Sequence, residues 1–226
     1  MSPARRSLHR GFNRGPGPNH MNEDHYSITA VSLGKRFGAF RVFNSVSFSV
    51  ESGSSLAVTG PNGAGKSTLL EIAAGLQVPS SGEISFTRSG IPCPRPGFDR
   101  IGFASPRLGL YGELSPDETM DFICAGRSSR CRERARELLA VFGLDRHRHR
   151  PVSRFSSGMV QRLRLACALF HEPPLLFLDE PGSNLDADGR RALFSELERA
   201  GKRSLIIIAT NDAEEAAFCA GSIRLD

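Results

Sequence analysis

From Tyr26 onward the chain alternates short apolar stretches with glycine-rich and polar turns. Val46, Phe48 and Val50 alternate with Ser45, Ser47 and Ser49, the period-two pattern of a half-buried strand. Glu51-Ser52-Gly53 then turns the chain. Residues 54–59 predict a buried strand that runs into a glycine-rich loop, and an apolar helix follows around Leu69, Leu70, Ile72, Ala73 and Leu76. Residues 132–144 place Ala135, Leu138, Leu139 and Phe142 at i, i+3, i+4 and i+7, an amphipathic helix with Gly143 as its C-cap. A second helix is predicted over residues 158–170 with Val160, Leu163, Cys167 and Phe170 inward, and Pro173-Pro174 stops it. Residues 175–178 and 205–209 are wholly apolar, as central parallel strands buried on both faces are. A helix over residues 188–200 joins them. Strand, loop and helix in this order predict an α/β fold, and no internal repeat is visible.

Composition changes this picture little. At 226 residues, 39% apolar and 23% charged, the chain has the make-up of one globular domain, and no apolar run reaches the roughly 18 residues of a membrane-spanning helix. The formal charge of +5 owes four units to Arg5, Arg6, Arg10 and Arg14, which precede any acidic residue; without them it is +1. Residues 1–25, rich in Gly, Pro, Asn and Arg, read as a disordered basic tail, with Met21 an alternative start. The five cysteines stand apart without a C-x-x-C pair, so neither a zinc site nor a disulfide framework is expected. Of 29 basic residues only Lys35, Lys66 and Lys202 are lysines. A lysine kept against such an arginine bias points to a place where a compact ammonium is needed, and this directs attention to Lys66.

Gly60-Pro61-Asn62-Gly63-Ala64-Gly65-Lys66-Ser67 fits G-x-x-x-x-G-K-[ST] between the predicted strand and helix. Glycines let successive N–H groups turn onto a polyphosphate, and the helix adds its positive N-terminal end. Lys66 is assigned to the β- and γ-phosphates, Ser67 to Mg²⁺ and Thr68 to a further phosphate contact. The strand over 175–178 delivers Asp179 and Glu180 to the carboxyl edge of the sheet, where ligands of such folds bind. Asp179 is assigned to Mg²⁺, directly or through water, and Glu180 to polarising the attacking water as general base.

The order of this loop, then Phe155-Ser156-Ser157-Gly158-Met159, then Leu175 to Pro181, then Asn184-Leu185-Asp186 resembles the ATPase subunit of an ATP-binding cassette (ABC) transporter, over about residues 27–226. The resemblance implies a P-loop NTPase fold: a mainly parallel central sheet, an N-terminal antiparallel β subdomain and a helical subdomain inserted at about 106–160. It implies ATP and Mg²⁺ as ligands and a head-to-tail dimer with a second ABC ATPase subunit, a homodimer being expected. Ser156 and Gly158 would then meet the γ-phosphate of ATP held by the other subunit, and Asp186 would match the acid at the dimer interface. Phe37, after Lys35-Arg36, matches the aromatic that stacks on adenine. Separate transmembrane permease subunits are the implied partners, and the cytoplasmic face of the cell membrane the implied location.

Three positions depart from the family pattern. Ser157 replaces a glycine of the signature. Pro106 stands in or beside the place of a glutamine near Mg²⁺ and the lytic water, so water would replace that ligand. Asn211 stands where the family has a histidine on the γ-phosphate; it donates a hydrogen bond but carries no charge. Hydrolysis that is slower or altered in its pH dependence is expected, with Glu180, Lys66 and Asn211 as the catalytic set. The alternative is a non-catalytic or regulatory ATP-dependent dimer clamp of the same fold. Arg127, Arg130, Arg132, Arg134, Arg136, Arg146, Arg148 and Arg150 form either a solvated helix face pairing locally with Glu133 and Glu137, or a basic surface suited to anionic lipid headgroups. They lack the aromatic platform of a nucleic-acid site, and no nucleic-acid partner is expected.

Overall fold

The computed structural model describes residues 25–226, so the tail expected over 1–25, with Met21, lies outside the described residues except for its last position. The chain begins with a long hairpin, β1 (Tyr26–Phe37) and β2 (Phe40–Glu51), turned at Gly38 with φ +59°. With β4 (Ser81–Arg88) and β5 (Ile91–Cys93) it forms an antiparallel sheet in the order β2-β1-β4-β5. The second sheet has the order β6-β7-β8-β3-β9, formed by β6 (Ile101–Ala104), β7 (Leu175–Asp179), β8 (Leu205–Ala209), β3 (Ser55–Thr59) and β9 (Gly221–Arg224). All its neighbours are parallel.

Every residue of β7 and β8 is buried, which requires cover on both faces. Leu175, Phe177, Leu205 and Ile207 face a core shared with the antiparallel sheet and α1 (Lys66–Ala73). Leu176, Leu178, Ile206 and Ile208 alternate to the other face and meet α3 (Ser129–Val141), α4 (Ser157–Leu169) and α5 (Ala187–Gly201). Each fully buried Leu or Ile contributes about 1.5–3 kcal/mol, so period-two alternation through two cores fixes the register of the strands.

That register positions the functional edge. Ala104 pairs with Leu178, Asp179 with Ala209 and Val58 with Ala209. The residues that follow β3, β6, β7 and β8 therefore emerge together.

Two helices differ from their expected form. The first is α3, which begins and ends three residues before the expected 132–144. Gly143 still terminates it, at φ +68°, with Leu144 N–H donating to Leu139 O at 2.7 Å, a left-handed C-cap. Helix α4 has no single inward stripe: Leu163 and Phe170 are buried as expected, but Val160 and Cys167 are half-buried, while Gln161, Leu165, Ala166, Ala168 and Leu169 are buried. It packs on β6 and is covered by α2 (Pro116–Ile123) and α3, so an amphipathic pattern is not required of it. Three arginines of the arginine-rich stretch are held by acids on several elements. Arg134 reaches Glu137 at 2.7 Å and also pairs with Glu196, Arg130 meets Glu172 at 2.9 Å, and Arg148 meets Asp117 at 2.8 Å.

Candidate functional site

The loop after β3 wraps the N-terminus of α1. Gly60, Gly63 and Gly65 have φ of +140°, +87° and +96°, which glycine adopts without penalty. Size matters as well as backbone freedom. A Cβ on Gly60 would lie 2.2 Å from the carbonyl oxygen of Leu225, and one on Gly65 2.4 Å from the Val42 side chain. Lys66, only 6% exposed, donates from Nζ to the carbonyls of Gly60 at 2.9 Å and Pro61 at 3.1 Å. Its ammonium thus lies inside the loop against carbonyl oxygens, where phosphate oxygens would be its stronger partners.

A cleft of about 430 Å³ opens over this loop, lined by Asn62, Gly63, Gly65, Lys66, Ser67, Thr68 and Glu180, with Phe37, Phe40, Val42, Gln77 and Arg107. Phe37 is exposed at the end of β1, with Lys35 Nζ 4.9 Å from its ring centroid. Lys35 Nζ also donates to Val78 O at 2.8 Å. Phe40, paired with Phe37 across the hairpin, adds a second exposed ring that the sequence reading did not single out.

Asp179, buried at the end of β7, accepts from Ser67 Oγ at 3.1 Å on Oδ1 and from Ser105 Oγ at 3.0 Å on Oδ2. The donor set offered by Ser67 and Asp179 is all oxygen, which suits a hard cation such as Mg²⁺. Glu180 follows with φ +48°, an uncommon conformation for a side chain with a Cβ; its N–H donates to Ala209 O at 2.8 Å. Asn211, after β8, shares a second hollow with Asn62 and Glu180, and its Nδ2 donates to Asn62 Oδ1.

Ser156, Gly158 and Asp186 are absent from the lining of the phosphate cleft. They gather instead at the start of α4 and α5. Ser156 caps α4, its Oγ accepting from Met159 N–H at 3.3 Å. A Cβ on Gly158 would lie 2.6 Å from Asn184 O, so only glycine allows this approach. Asp186 caps α5 through Gly189 N–H at 2.8 Å and pairs with Arg162. Gly189 N–H, aided by Arg162, lowers the pKa of its carboxyl.

Three further residues emerge only from the structure. Ser105 is one. Gln161, 2% exposed, donates from Nε2 to Pro181 O at 2.9 Å. Glu215, 1% exposed, accepts from Gly182 N–H at 2.7 Å on Oε1; burial pushes its carboxyl up, against the opposing pull of Thr210 and Gly182. The signals for the last two are faint, a glutamine between the apolar Val160 and Leu163 of α4 and a glutamate in a short C-terminal helix.

A glycine loop at a helix N-terminus, a lysine within it and a hydroxyl–carboxylate pair at the carboxyl edge of a parallel sheet define a P-loop nucleotide site. Comparison with known proteins narrows the class. The ABC transporter family profile matches residues 43–183. A probable multidrug ABC transporter ATP-binding protein of Escherichia coli, YbhF, is 32% identical over 197 residues, covering 85% of this chain and 34% of that protein. The sulfate/thiosulfate import ATP-binding protein CysA of Bradyrhizobium diazoefficiens is 36% identical over 199 residues, covering 84% of this chain and 58% of that one. The chain therefore matches from about one third to somewhat under two thirds of the length of these relatives. The dimeric structure of MJ0796, a bacterial ABC transporter cassette, superposes with a TM-score of 0.74 at 25% identity, covering 88% of this chain and 94% of that one. The chain belongs to the ABC transporter family, with the fold of its ATPase cassettes.

Proposed function

We propose that this chain binds and hydrolyses ATP to drive transport through separate transmembrane subunits, working as a dimer of cassettes, with a homodimer the simplest form. The observation that carries the reading is the convergence of Lys66, the Ser67–Asp179 pair and Glu180 on one cleft edge. Lys66 exchanges its two carbonyl partners for phosphate oxygens, and the N–H groups of residues 63–68 surround the rest of the phosphate chain. Ser67 and Asp179 would hold Mg²⁺, which would supply positive charge against the developing charge of the phosphate chain. Glu180 accepts the proton of the attacking water, and Asn211, in the hollow it shares with Glu180, donates to the γ-phosphate. Phe37 offers its face to adenine.

Ser156 and Gly158, turned away from their own chain's cleft, serve the nucleotide of the second subunit, with Asp186 at the interface between them. The dimeric state of MJ0796 supports this arrangement. An exposed edge-to-face pair, Tyr111 and Phe122, with centroids 5.8 Å apart, supports docking of the membrane subunits on the helical region. Among the described residues no helix is long and apolar enough to cross a membrane. A peripheral position on the cytoplasmic face goes with such docking.

A second reading, the ATP-dependent clamp with little turnover, is favoured by Asn211 and Pro106. Phosphate release separates the two. Release by the wild-type chain above that of Lys66→Ala, abolished in Glu180→Gln while that variant still binds ATP and shifts to a dimer on gel filtration, supports the enzyme. Release no greater than that of Lys66→Ala, with the membrane subunits present, leaves the clamp.

A further inference from the structure

Ser105 owes its place to strand register. Ala104 lies opposite Leu178, so Ser105, the residue that follows β6, comes to lie beside Asp179, the last residue of β7. Ser105 is 2% exposed and Asp179 4%, and the Ser105 hydroxyl donates to Asp179 Oδ2 at 3.0 Å. Ser105 Oγ in turn accepts the Arg107 N–H at 3.3 Å, the hydrogen-bonded turn typical of serine. A hydroxyl has a single hydrogen; with Arg107 on its oxygen, that hydrogen is committed to Asp179. Pro106, between them, has a fixed φ and no N–H of its own, which stiffens the turn. Ser67 holds the other carboxylate oxygen at 3.1 Å. Asp179 is thus oriented from both sides.

We propose that Ser105 is a positioning residue for the metal carboxylate: its fixed hydrogen bond sets the orientation in which Asp179 and Ser67 take Mg²⁺, in a loop where Pro106 offers no ligand. The inference rests on the nucleotide reading above and deepens it. A carboxylate oxygen buried without a donor loses a charged hydrogen bond and turns to seek another. Partners of this kind typically contribute 10–100-fold to metal affinity.

The test uses the full chain and a fluorescent ATP analogue, titrated with Mg²⁺ and compared with the same binding in EDTA, with Mn²⁺ followed by electron paramagnetic resonance as a direct measure of the metal. In Ser105→Ala the Mg²⁺ midpoint rises about ten-fold while analogue affinity in EDTA stays as in wild type. Ser105→Thr, which keeps the hydroxyl, restores the wild-type midpoint. If Ser105→Ala does not fold, as circular dichroism will show, Ser105→Cys carries the same expectation with a weak donor in place of a strong one. A Mg²⁺ midpoint unchanged in the variant that folds overturns the proposal, and so does an equal loss of analogue affinity in EDTA, which marks a structural role. Absence of analogue binding by the wild-type chain overturns the nucleotide reading itself, and this inference with it.

Discussion

Gln161 Nε2 donates to the carbonyl of Pro181 at 2.9 Å, so the helix that Ser156 opens is bonded, inside the protein, to the turn that follows Glu180. The side chain is 2% exposed, and water does not replace its amide. Gln161→Leu leaves the Pro181 carbonyl without that partner, and a loss of about 1–3 kcal/mol in urea unfolding is expected. Phosphate release should fall by more than the folded fraction does, because the freed turn begins at the proposed base. Equal falls would reduce Gln161 to a stabilising residue.

Glu180 and Ser105 differ in what marks them along the chain. The phosphate loop, Asp179, Glu180 and strands β3, β7 and β8 are legible because local rules write them: glycines where φ must be positive, and uninterrupted apolar runs where both faces are covered. Ser105 is illegible because its meaning lies in register with a strand 74 residues away; nothing near it in sequence marks it. Helix α4 misleads for the opposite reason. Its cover on several sides removes the apolar stripe that periodicity seeks. Helix α2 did carry a local mark, the capping box of Ser115 and Glu118, on an eight-residue helix too short for its pattern to stand out.

Arg134 and Glu196 form a buried pair between α3 and α5, with side chains 7% and 8% exposed. Removing Arg134 strands the charge of Glu196 away from water, whereas Arg134 without Glu196 keeps Glu137. Arg134→Ala is expected to cost about 3–5 kcal/mol, whereas Arg134→Met with Glu196→Leu should come close to wild type or exceed it. Thermal and urea unfolding of both single variants and the double one measure the coupling. Additive losses would show that the charges do not depend on each other.

His171 sets an acid limit on stability. Its Nε2 lies 3.1 Å from Ile101 O, and since a carbonyl only accepts, Nε2 carries the hydrogen of the neutral ring. Burial first, then Arg127, lower its pKa from 6.5 to about 4. Between these values the unfolded chain binds the proton and the folded chain does not, so this group makes stability fall as pH drops below 6.5, by of order 3 kcal/mol by pH 4. His171→Leu removes the dependence. Urea unfolding at pH 7.5, 6 and 5 should show the wild type losing more stability than the variant over that range; parallel curves would mean that His171 takes up its proton without unfolding.

Asn211 is the position where a single substitution should alter the chemistry and its pH dependence together. Its Nδ2 is bonded to Asn62 of the phosphate loop, in the hollow that Glu180 shares, and the proposed function has this side chain meet the γ-phosphate beside the proposed base. Asparagine offers that phosphate a neutral donor at every pH. Histidine offers a donor that gains charge below its pKa, and an ionised donor contributes roughly twice the hydrogen bond of a neutral one. Asn211→His is therefore expected to raise phosphate release by about ten-fold at pH 6.5, corresponding to 1.36 kcal/mol of transition-state stabilisation. The gain should shrink as pH rises to 8.5. Asn211→Ala, which loses the donor, should fall below wild type with little change in shape. Steady-state phosphate release from pH 6 to 9 distinguishes the three. If Asn211→His keeps the wild-type profile, the side chain at this position does not face the γ-phosphate, and Asn211 leaves the catalytic set.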